Sequence, residues 1–212
     1  MFKTEKPSIE IIAVTYNETF ALKCFVDSIR SQTSQNWKLH IIHDGNGKKF
    51  EDLKEDLISK KYVDQKNVVL SATEKRYNNW GHSLREYGLN NRISDAEYIL
   101  ITNSDNYYCP VLVAEIENAI KVTKDPDFIY WDCVHNHKNA NFDRPDGYGL
   151  LVSQLEYSKI DIGCAAVKST IAEKIGFPYT NMDADWDYFR DCLREANFDK
   201  LHKINKILFV HN

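Results

Sequence analysis

Tyr98-Ile-Leu-Ile-Thr-Asn-Ser-Asp-Asn-Tyr107 is the stretch that decides the fold class. Its apolar half is typical of a buried strand, and the run stops abruptly at the polar residues that begin with Asn103. In an open α/β sheet, ligands bind at the carboxyl ends of the strands. The Asp105 carboxylate, flanked by other oxygen-bearing side chains, suits a hard divalent cation. The stretch therefore predicts a metal-assisted reaction on a phosphate-bearing substrate.

The segments before and after this strand alternate between the two-residue hydrophobic period of strands and the 3.6-residue period of helices. Period and turn signals predict strands at 9–15, 39–43, 67–70, 98–102 and 128–134. They predict helices at 19–29, 51–60, 83–90 and 110–122, the last with Pro110 at its first position. This alternation predicts an α/β fold with a mostly parallel central sheet and helices on both faces.

The second half of the chain is less regular. Residues 135–149 are rich in Asn, Asp, Gly and Pro and have no periodicity, which favours a functional loop. After it we expect a strand at 160–167, a helix at 169–174, a helix at 184–196 and a strand at 204–210. With 212 residues, the chain is long enough for one sizeable core and short for two independent domains.

Charge and cysteine content exclude several classes of protein. The net charge of −4 and the lack of a long basic run argue against nucleic-acid binding. Five scattered cysteines without a C-x-x-C pair favour reduced thiols in the cytoplasm and argue against structural zinc. The N-terminal residues lack the apolar core of a signal peptide, and no stretch approaches the roughly 20 apolar residues of a membrane span. We therefore expect a cytoplasmic protein without an integral membrane segment.

Polar clusters follow three of the predicted strands: Thr15-Tyr16-Asn17, Asp44-Gly45-Asn46 and Asn103-Ser104-Asp105. Because parallel strands end at the same edge of a sheet, we expect the three clusters to share one crevice. The Asn17 side chain also suits the N-cap of the next helix, while the backbone amides of its turn are free to bind a nucleotide. The Asp44 side chain fits either a hydrogen bond to a base or ribose, or a tight Asp-Gly turn.

The segment Asp183-Ala-Asp-Trp-Asp187 places three carboxylates at a helix start, where acidic residues are favoured electrostatically. On a helical wheel Asp185 lies beside the apolar stripe Trp186, Phe189, Leu193 and Ala196, whereas Asp187 lies nearly opposite and is expected in solvent. Asp185 is therefore the candidate general base.

Three histidines bear on the question of metal binding. His211 follows an apolar run that holds it in place, so it is a candidate nitrogen ligand. His135 and His137, which begin the Asn-rich segment, are interpreted as part of a polar loop. The sequence contains no G-x-G-x-x-G, Walker A or G-x-S-x-G motif, which argues against dinucleotide oxidoreductases, P-loop enzymes and serine hydrolases.

With these residues assembled, the chain resembles a family 2 glycosyltransferase of the GT-A fold. The similar segments occur in the family's order over almost the whole chain: Val14-Thr-Tyr-Asn17, Phe25-Val-Asp-Ser-Ile29 with Gln32 and Trp37, Ile41-Ile-His-Asp-Gly45, Gly81-His-Ser-Leu-Arg-Glu-Tyr-Gly88, Asn103-Ser-Asp105, Gly163-Cys-Ala-Ala-Val167, Ile175-Gly-Phe177 and Ala184-Asp-Trp-Asp-Tyr188. Asn103-Ser-Asp105 occupies the place of the family's D-x-D metal motif, and Ala184-Asp-Trp-Asp187 that of its E-D-x-D segment.

The resemblance implies that a sugar is transferred, with inversion, from a nucleoside-diphosphate sugar to an acceptor hydroxyl. The donor is expected to be UDP-linked, and the acceptor to be a glycan, a lipid-linked molecule or a protein. Residues 1–106 would form the nucleotide-sugar half and residues 107–212 the acceptor and catalytic-base half. Thr15, Tyr16, Asn17, Asp44, Arg85, Asn103 and Ser104 would contact the donor. Asp105 and His211 would hold Mn²⁺ or Mg²⁺, and Asp185 would deprotonate the acceptor.

Two departures from the family pattern keep other functions open. Asn103 replaces the first acid of D-x-D, and Ala184 replaces the first acid of the E-D pair. They motivate an alternative, a non-catalytic nucleotide-sugar-binding domain of the same fold, although retention of Asp105, Asp185 and His211 favours an enzyme. A sugar nucleotidyltransferase would carry a Gly-rich basic loop after the first strand, and the residues after Val14 contain none. The sequence gives no indication of oligomeric state.

Overall fold

A computed structural model describes residues 8–212 apart from Glu18, Gln65 and residues 137–146. A nine-stranded mixed sheet runs through the middle of the domain and helices cover both of its faces. The strands are β1 (Ile9–Thr15), β2 (Trp37–His43), β3 (Val68–Ala72), β4 (Tyr98–Asn103), β5 (Tyr107–Tyr108), β6 (Phe128–Asn136), β7 (Tyr148–Leu151), β8 (Ala165–Lys168) and β9 (Leu201–His211). The predicted α/β class is confirmed.

The first four long strands form the parallel part of the sheet, in the order β3-β2-β1-β4. All seven residues of β1 are buried, as expected for a strand covered on both faces. Thr15 pairs with His43 of β2, and Val14 pairs with Asn103 of β4. The carboxyl ends of these strands are therefore level, and the polar clusters that follow them meet at one edge.

The remaining strands continue the sheet with mixed polarity. β8 is antiparallel to β4 and to β6, while β9 runs parallel to β6. The short strand β5, which the sequence did not predict, pairs Tyr107 with Val210 of β9. This pairing brings the segment just after Asp105 next to the residue just before His211.

Six helices in the described residues pack on the two faces of the sheet. They are α1 (Thr19–Arg30), α2 (Lys48–Ser59), α3 (His82–Asn90), α4 (Leu112–Thr123), α5 (Ser169–Ile175) and α6 (Ala184–Glu195). Buried side chains of α1, α2 and α4 join one core cluster, and those of α3, α5 and α6 join a second. Leu22, Phe25, Val26 and Ile29, which follow a helical period in α1, are all fully buried.

The helix that begins at Pro110 in the sequence prediction starts two residues later, at Leu112. The Pro110 carbonyl accepts a hydrogen bond from the Thr33 amide, and the Leu112 amide donates to the Cys109 carbonyl. Residues 109–111 thus form a turn that ties this segment to the end of α1, and placing proline at the first helical position was wrong.

Two other predictions of local structure need correction. The expected strand at 160–167 is reduced to β8, because the Asp161 carboxylate accepts the Gly163 amide at 2.8 Å and starts a 3₁₀ turn over Ile162–Cys164. The loop expected at 135–149 begins and ends in strands. His135 lies in β6 and Gly149 pairs with it from β7. The polar-loop interpretation of His135 was therefore wrong, while His137 lies outside the described residues.

Within the described part of the chain, every helix is too short or too polar to cross a membrane.

Candidate active site

A crevice of about 810 Å³ opens at the carboxyl edge of the parallel strands. The three predicted strand-end clusters all contribute to its walls through Thr15, Tyr16, Asp44, Asn103, Ser104 and Asp105. The first turns of α3 and α6 close the crevice with Arg85 and Asp185. The structure thus brings together eight of the ten sequence-predicted site residues, and Asn17 and His211 are not among the lining residues.

Asn17 does not line the crevice. Its side chain is exposed and its backbone φ is 65°, a left-handed conformation that asparagine tolerates. α1 begins only at Thr19, and an N-cap residue has extended backbone, so Asn17 is not the predicted N-cap. Thr15, by contrast, is buried, and its Oγ1 has no hydrogen-bond partner within the described residues.

One end of the crevice combines an aromatic ring with cations. The Arg76 guanidinium lies 3.8 Å from the centroid of the Tyr16 ring, and Lys49 Nζ lies 5.0 Å from it. The Arg76 side chain is half exposed, and its Nη2 donates to Asn78 Oδ1 at 2.8 Å. A flat π surface beside fixed positive charge suits a base and an attached phosphate.

Asp44 anchors the loop that forms the neighbouring wall. Its two carboxylate oxygens accept the backbone amides of Tyr77 at 2.7 Å and Asn78 at 2.9 Å. Gly45, which follows it, has φ 93° and lies against the Arg76 backbone. The Asp44 side chain therefore has a structural task, and each oxygen keeps lone-pair capacity for a ligand.

The loop that Asp44 anchors carries backbone strain at Asn78 and Trp80. Asn78 has φ 53° and Trp80 has φ 55°, which is uncommon for a bulky residue. Gly81 has φ 82° and lies so close to β1 that an added Cβ would be 2.7 Å from Val14 Cγ2. Trp80 is 73% exposed at the rim of the crevice, as is Met182 at 91%. Together they present apolar surface next to the polar floor.

Arg85 is the central cation of the crevice. It is buried, and its Nη1 donates to Asp185 Oδ1 at 2.7 Å, while its Nη2 donates to Asn103 Oδ1 at 3.1 Å. Burial lowers the pKa of His82, and the Arg85 charge lowers it further. Neutral His82 can then accept from Arg85 Nη1 through Nδ1 at 3.0 Å. Arg85 thereby connects strand β4 with helices α3 and α6.

Asp185 lies in the first turn of α6 with its side chain 36% exposed to the crevice. Burial raises the pKa of its carboxyl, and the Arg85 guanidinium opposes that rise. A carboxylate with a raised pKa is a better proton acceptor than a fully solvated one. The geometry is that of a base held by one cation and open on its other side.

The predicted apolar stripe of α6 and the predicted exposure of Asp187 differ from what the structure shows. The fully buried residues of α6 are Ala184, Tyr188, Phe189 and Cys192, while Trp186, Leu193 and Ala196 are only partly buried. Asp187 is 16% exposed, because Arg190 Nη1 donates to it at 2.5 Å and Asn181 Nδ2 at 3.0 Å. Asp187 is thus paired within its own helix region and not solvated. Asp183, before the helix, is exposed and accepts from the Tyr157 hydroxyl.

Asp105 lies at the junction of the crevice with the strand pair β5 and β9. Burial raises the pKa of its carboxyl, with His211 opposing the rise and Asp161 adding to it. Its Oδ1 is buried and has no hydrogen-bond partner within the described residues. A buried carboxylate oxygen without a donor is costly, so this atom fits a cation ligand.

His211 belongs to a compact cluster beside Asp105. His135 Nε2 and His211 Nε2 lie 3.7 Å and 3.8 Å from Asp161 Oδ2. The two imidazole rings are stacked, with centroids 4.2 Å apart and planes 2° from parallel. Burial raises the pKa of Asp161, but the neighbouring histidines and the Gly163 amide outweigh it and bring the pKa below its ordinary value.

Sequence reasoning missed three residues of this region: Arg76, Asp161 and, as a ligand, His135. Arg76 lies in a segment without periodicity, and Asp161 lies in a segment interpreted as a strand. His135 lies opposite His211 because β6 pairs with β9, and this pairing was not deducible from either strand alone.

Comparisons with known proteins identify the fold and no closer kinship. Neither the family models nor the curated proteins gave a match to the sequence. Among solved structures, S. aureus TarS 1–349 superposes with a TM-score of 0.72 at 15% identity, covering 97% of this chain and 60% of that chain. TarS 1–349 in complex with UDP-GlcNAc gives 0.70 at 13%, covering 96% and 58%. The mannosyltransferase PcManGT from Pyrobaculum calidifontis, in complex with GDP-Man and Mn²⁺, gives 0.65 at 16%, covering 98% and 57%.

At these identities the likeness shows the GT-A-type fold expected from the sequence. The chain spans about 60% of the length of the TarS structure that it matches.

Proposed function

We propose that this chain is an inverting glycosyltransferase that uses a nucleoside-diphosphate sugar, with UDP as the favoured nucleotide, and a divalent metal. The observation that carries the proposal is the single crevice that contains an aromatic and cationic end, the buried Oδ1 of Asp105 and the partly exposed Asp185. The solved structures with the same fold, complexed with UDP-GlcNAc or GDP-Man, support a nucleotide-sugar donor. The family 2 assignment rests on the motif order described above.

The donor's nucleoside is proposed to bind between Tyr16 and the Asp44 loop. Tyr16 offers a ring face for the base, and Asp44 offers acceptor lone pairs for an imide or a ribose hydroxyl. Thr15 Oγ1 and the Ser104 side chain, both buried in the same wall, supply further polar contacts. Arg76 at this end can meet a phosphate oxygen.

Asp105 and His211 are proposed to hold the metal. They fit a cation because Asp105 Oδ1 lacks a donor, His211 offers an imidazole, and the two groups interact electrostatically. A bound Mn²⁺ or Mg²⁺ would neutralise charge on the departing nucleoside diphosphate. Asn103 adds no charge to this set because its side chain is a neutral amide, and its Oδ1 accepts a hydrogen bond from Arg85.

Asp185 is proposed to remove the proton from the acceptor hydroxyl. The acceptor oxygen forms a bond to the anomeric carbon as the bond from that carbon to the diphosphate oxygen breaks, and the proton passes to the Asp185 carboxylate. A single displacement of this kind inverts the anomeric centre. Arg85 keeps the carboxylate oriented and charged, while Trp80 and Met182 provide an apolar rim for the acceptor or the sugar.

A donor panel tests the proposal. Release of nucleoside diphosphate from UDP- and GDP-sugars is measured with Mn²⁺ present, first with water and then with mono- and oligosaccharide acceptors. We expect slow release with one donor class and faster release with a matching acceptor. Donor binding without release under any of these conditions would contradict the enzyme and favour the non-catalytic binding domain, which Asn103 and Ala184 motivate.

A further inference from the structure

The cluster of His135, Asp161 and His211 is assembled from three distant parts of the chain. His135 is the penultimate residue of β6, His211 is the last residue of β9, and the two are register partners in a parallel strand pair. Asp161 precedes the 3₁₀ turn and reaches both rings from the side. One nitrogen or oxygen of each residue lies within 4.8 Å of the others, which is the spacing of a potential metal site.

The separations in this cluster are close to those between two ligands of one ion. The two Nε2–Oδ2 distances, 3.7 Å and 3.8 Å, exceed the usual hydrogen-bond range. Two atoms bound at about 2.1 Å to one tetrahedral ion lie about 3.4 Å apart, so each Nε2–Oδ2 distance needs to shorten by only a few tenths of an ångström. The two stacked imidazole rings must also turn toward a common point for both Nε2 lone pairs to meet the ion. Asp161 Oδ1 is held by the Gly163 amide, which fixes the direction of Oδ2.

Backbone pairing sets the cluster beside Asp105. Tyr107 pairs with Val210, and the Asn212 amide donates to Asn106 Oδ1 at 3.3 Å, so the end of β9 is tied to the residues that follow Asp105. Asp105 interacts electrostatically with both His211 and Asp161. The charges of the same two residues also act on the pKa of Asp185, so the cluster lies within electrostatic range of both carboxylates of the crevice.

We propose that His135, Asp161 and His211 bind a divalent transition-metal ion in the donor-free protein, next to Asp105. The inference deepens the metal part of the proposed function by adding two ligands that the sequence motifs do not contain. Two imidazoles and one carboxylate form a ligand set that selects Mn²⁺, Co²⁺ or Zn²⁺ over Mg²⁺, which prefers oxygen ligands and retained waters. The set also supplies the charge and donor atoms that Asn103 does not.

The test is binding of Mn²⁺ alone, measured by electron paramagnetic resonance on the full chain without nucleotide. We expect one site, displaced by Zn²⁺ and not by a large excess of Mg²⁺. Asp161→Asn and His135→Ala should each weaken Mn²⁺ binding by at least about tenfold. Asp161→Asn keeps an oxygen for the Gly163 amide, and a circular-dichroism melt checks that both variants fold. His202→Ala, a histidine variant elsewhere on β9, is the matched control and should bind Mn²⁺ normally.

Wild-type protein that binds no Mn²⁺ without nucleotide would overturn the inference, as would unchanged affinity in both folded variants. If only one variant folds, the Mn²⁺ affinity of that variant alone decides whether the inference stands. The outcome is separable from that of the proposed function. Nucleotide-sugar turnover by a protein that binds no Mn²⁺ in the absence of donor would overturn this three-residue site but not the proposed enzyme. Mn²⁺ binding by a protein that never releases nucleotide would support the site and contradict the proposed enzyme.

Discussion

Asp185→Asn is expected to lower the rate of acceptor-stimulated nucleotide release by about 10²–10⁴-fold while leaving nucleotide binding within a factor of about three. The substitution keeps an oxygen that can accept from Arg85, so the wall formed by α3 and α6 should persist. It removes the only group proposed to take the acceptor's proton. The rate is measured with the donor–acceptor pair found in the panel, and binding is measured by calorimetry.

Asp187→Asn is the matched control, because it lies in the same helix and its carboxylate pairs with Arg190 instead of Arg85. We expect its turnover to stay near that of the wild type. Full turnover in Asp185→Asn would show that another group accepts the proton, and Asp183, exposed before the same helix, would then be the first residue to examine.

Arg85→Met is expected to shift the acid limb of the pH–rate profile to higher pH. Burial raises the pKa of Asp185 and the Arg85 charge opposes that rise, so removing the charge should raise the pKa further. The base works only when deprotonated, and activity should therefore be lost first at low pH and recovered as the pH rises. Loss of a buried, charged hydrogen-bond donor should also cost about 1.5–3 kcal/mol of stability.

The Arg85→Lys variant tests the positive charge of Arg85 separately from its hydrogen-bonding geometry. Lysine keeps the positive charge but not the fork that reaches Asp185 and Asn103 together. We expect its acid limb to lie near that of the wild type, with a lower rate from weaker positioning. If the acid limb of the Arg85→Met profile does not move, Arg85 does not set the pKa of Asp185.

The parallel half of the fold was predictable because each of its elements is specified locally. The run from Ile9 to Thr15 is apolar at every position except Glu10 and Thr15, as in a strand buried on both faces. Its Glu10 is tolerated there because the Ile93 and Ser94 amides and the Ser94 hydroxyl donate to it. The level carboxyl ends of the strands follow from parallel pairing, and the crevice follows from those ends.

The other half depends on contacts that no local pattern encodes. β5 is two residues long and exists through its pairing with β9, while β7 exists through its pairing with β6. The histidine cluster requires the register between β6 and β9, which includes shifts around Asp132. The hydrophobic pattern of one segment does not reveal which strands pair or in which register, so the role of Asp161 was not deducible.

The most direct test of the nucleotide-sugar site is a calorimetric titration of UDP into the protein with Mn²⁺ and again in EDTA. The structure leads us to expect one UDP site with Mn²⁺ present and at least about tenfold weaker binding in EDTA, a difference of about 1.4 kcal/mol. Equal affinity in EDTA would contradict the metal assignment. Failure of UDP and of GDP to bind with Mn²⁺ present would contradict the assignment of this crevice to a nucleotide-sugar donor.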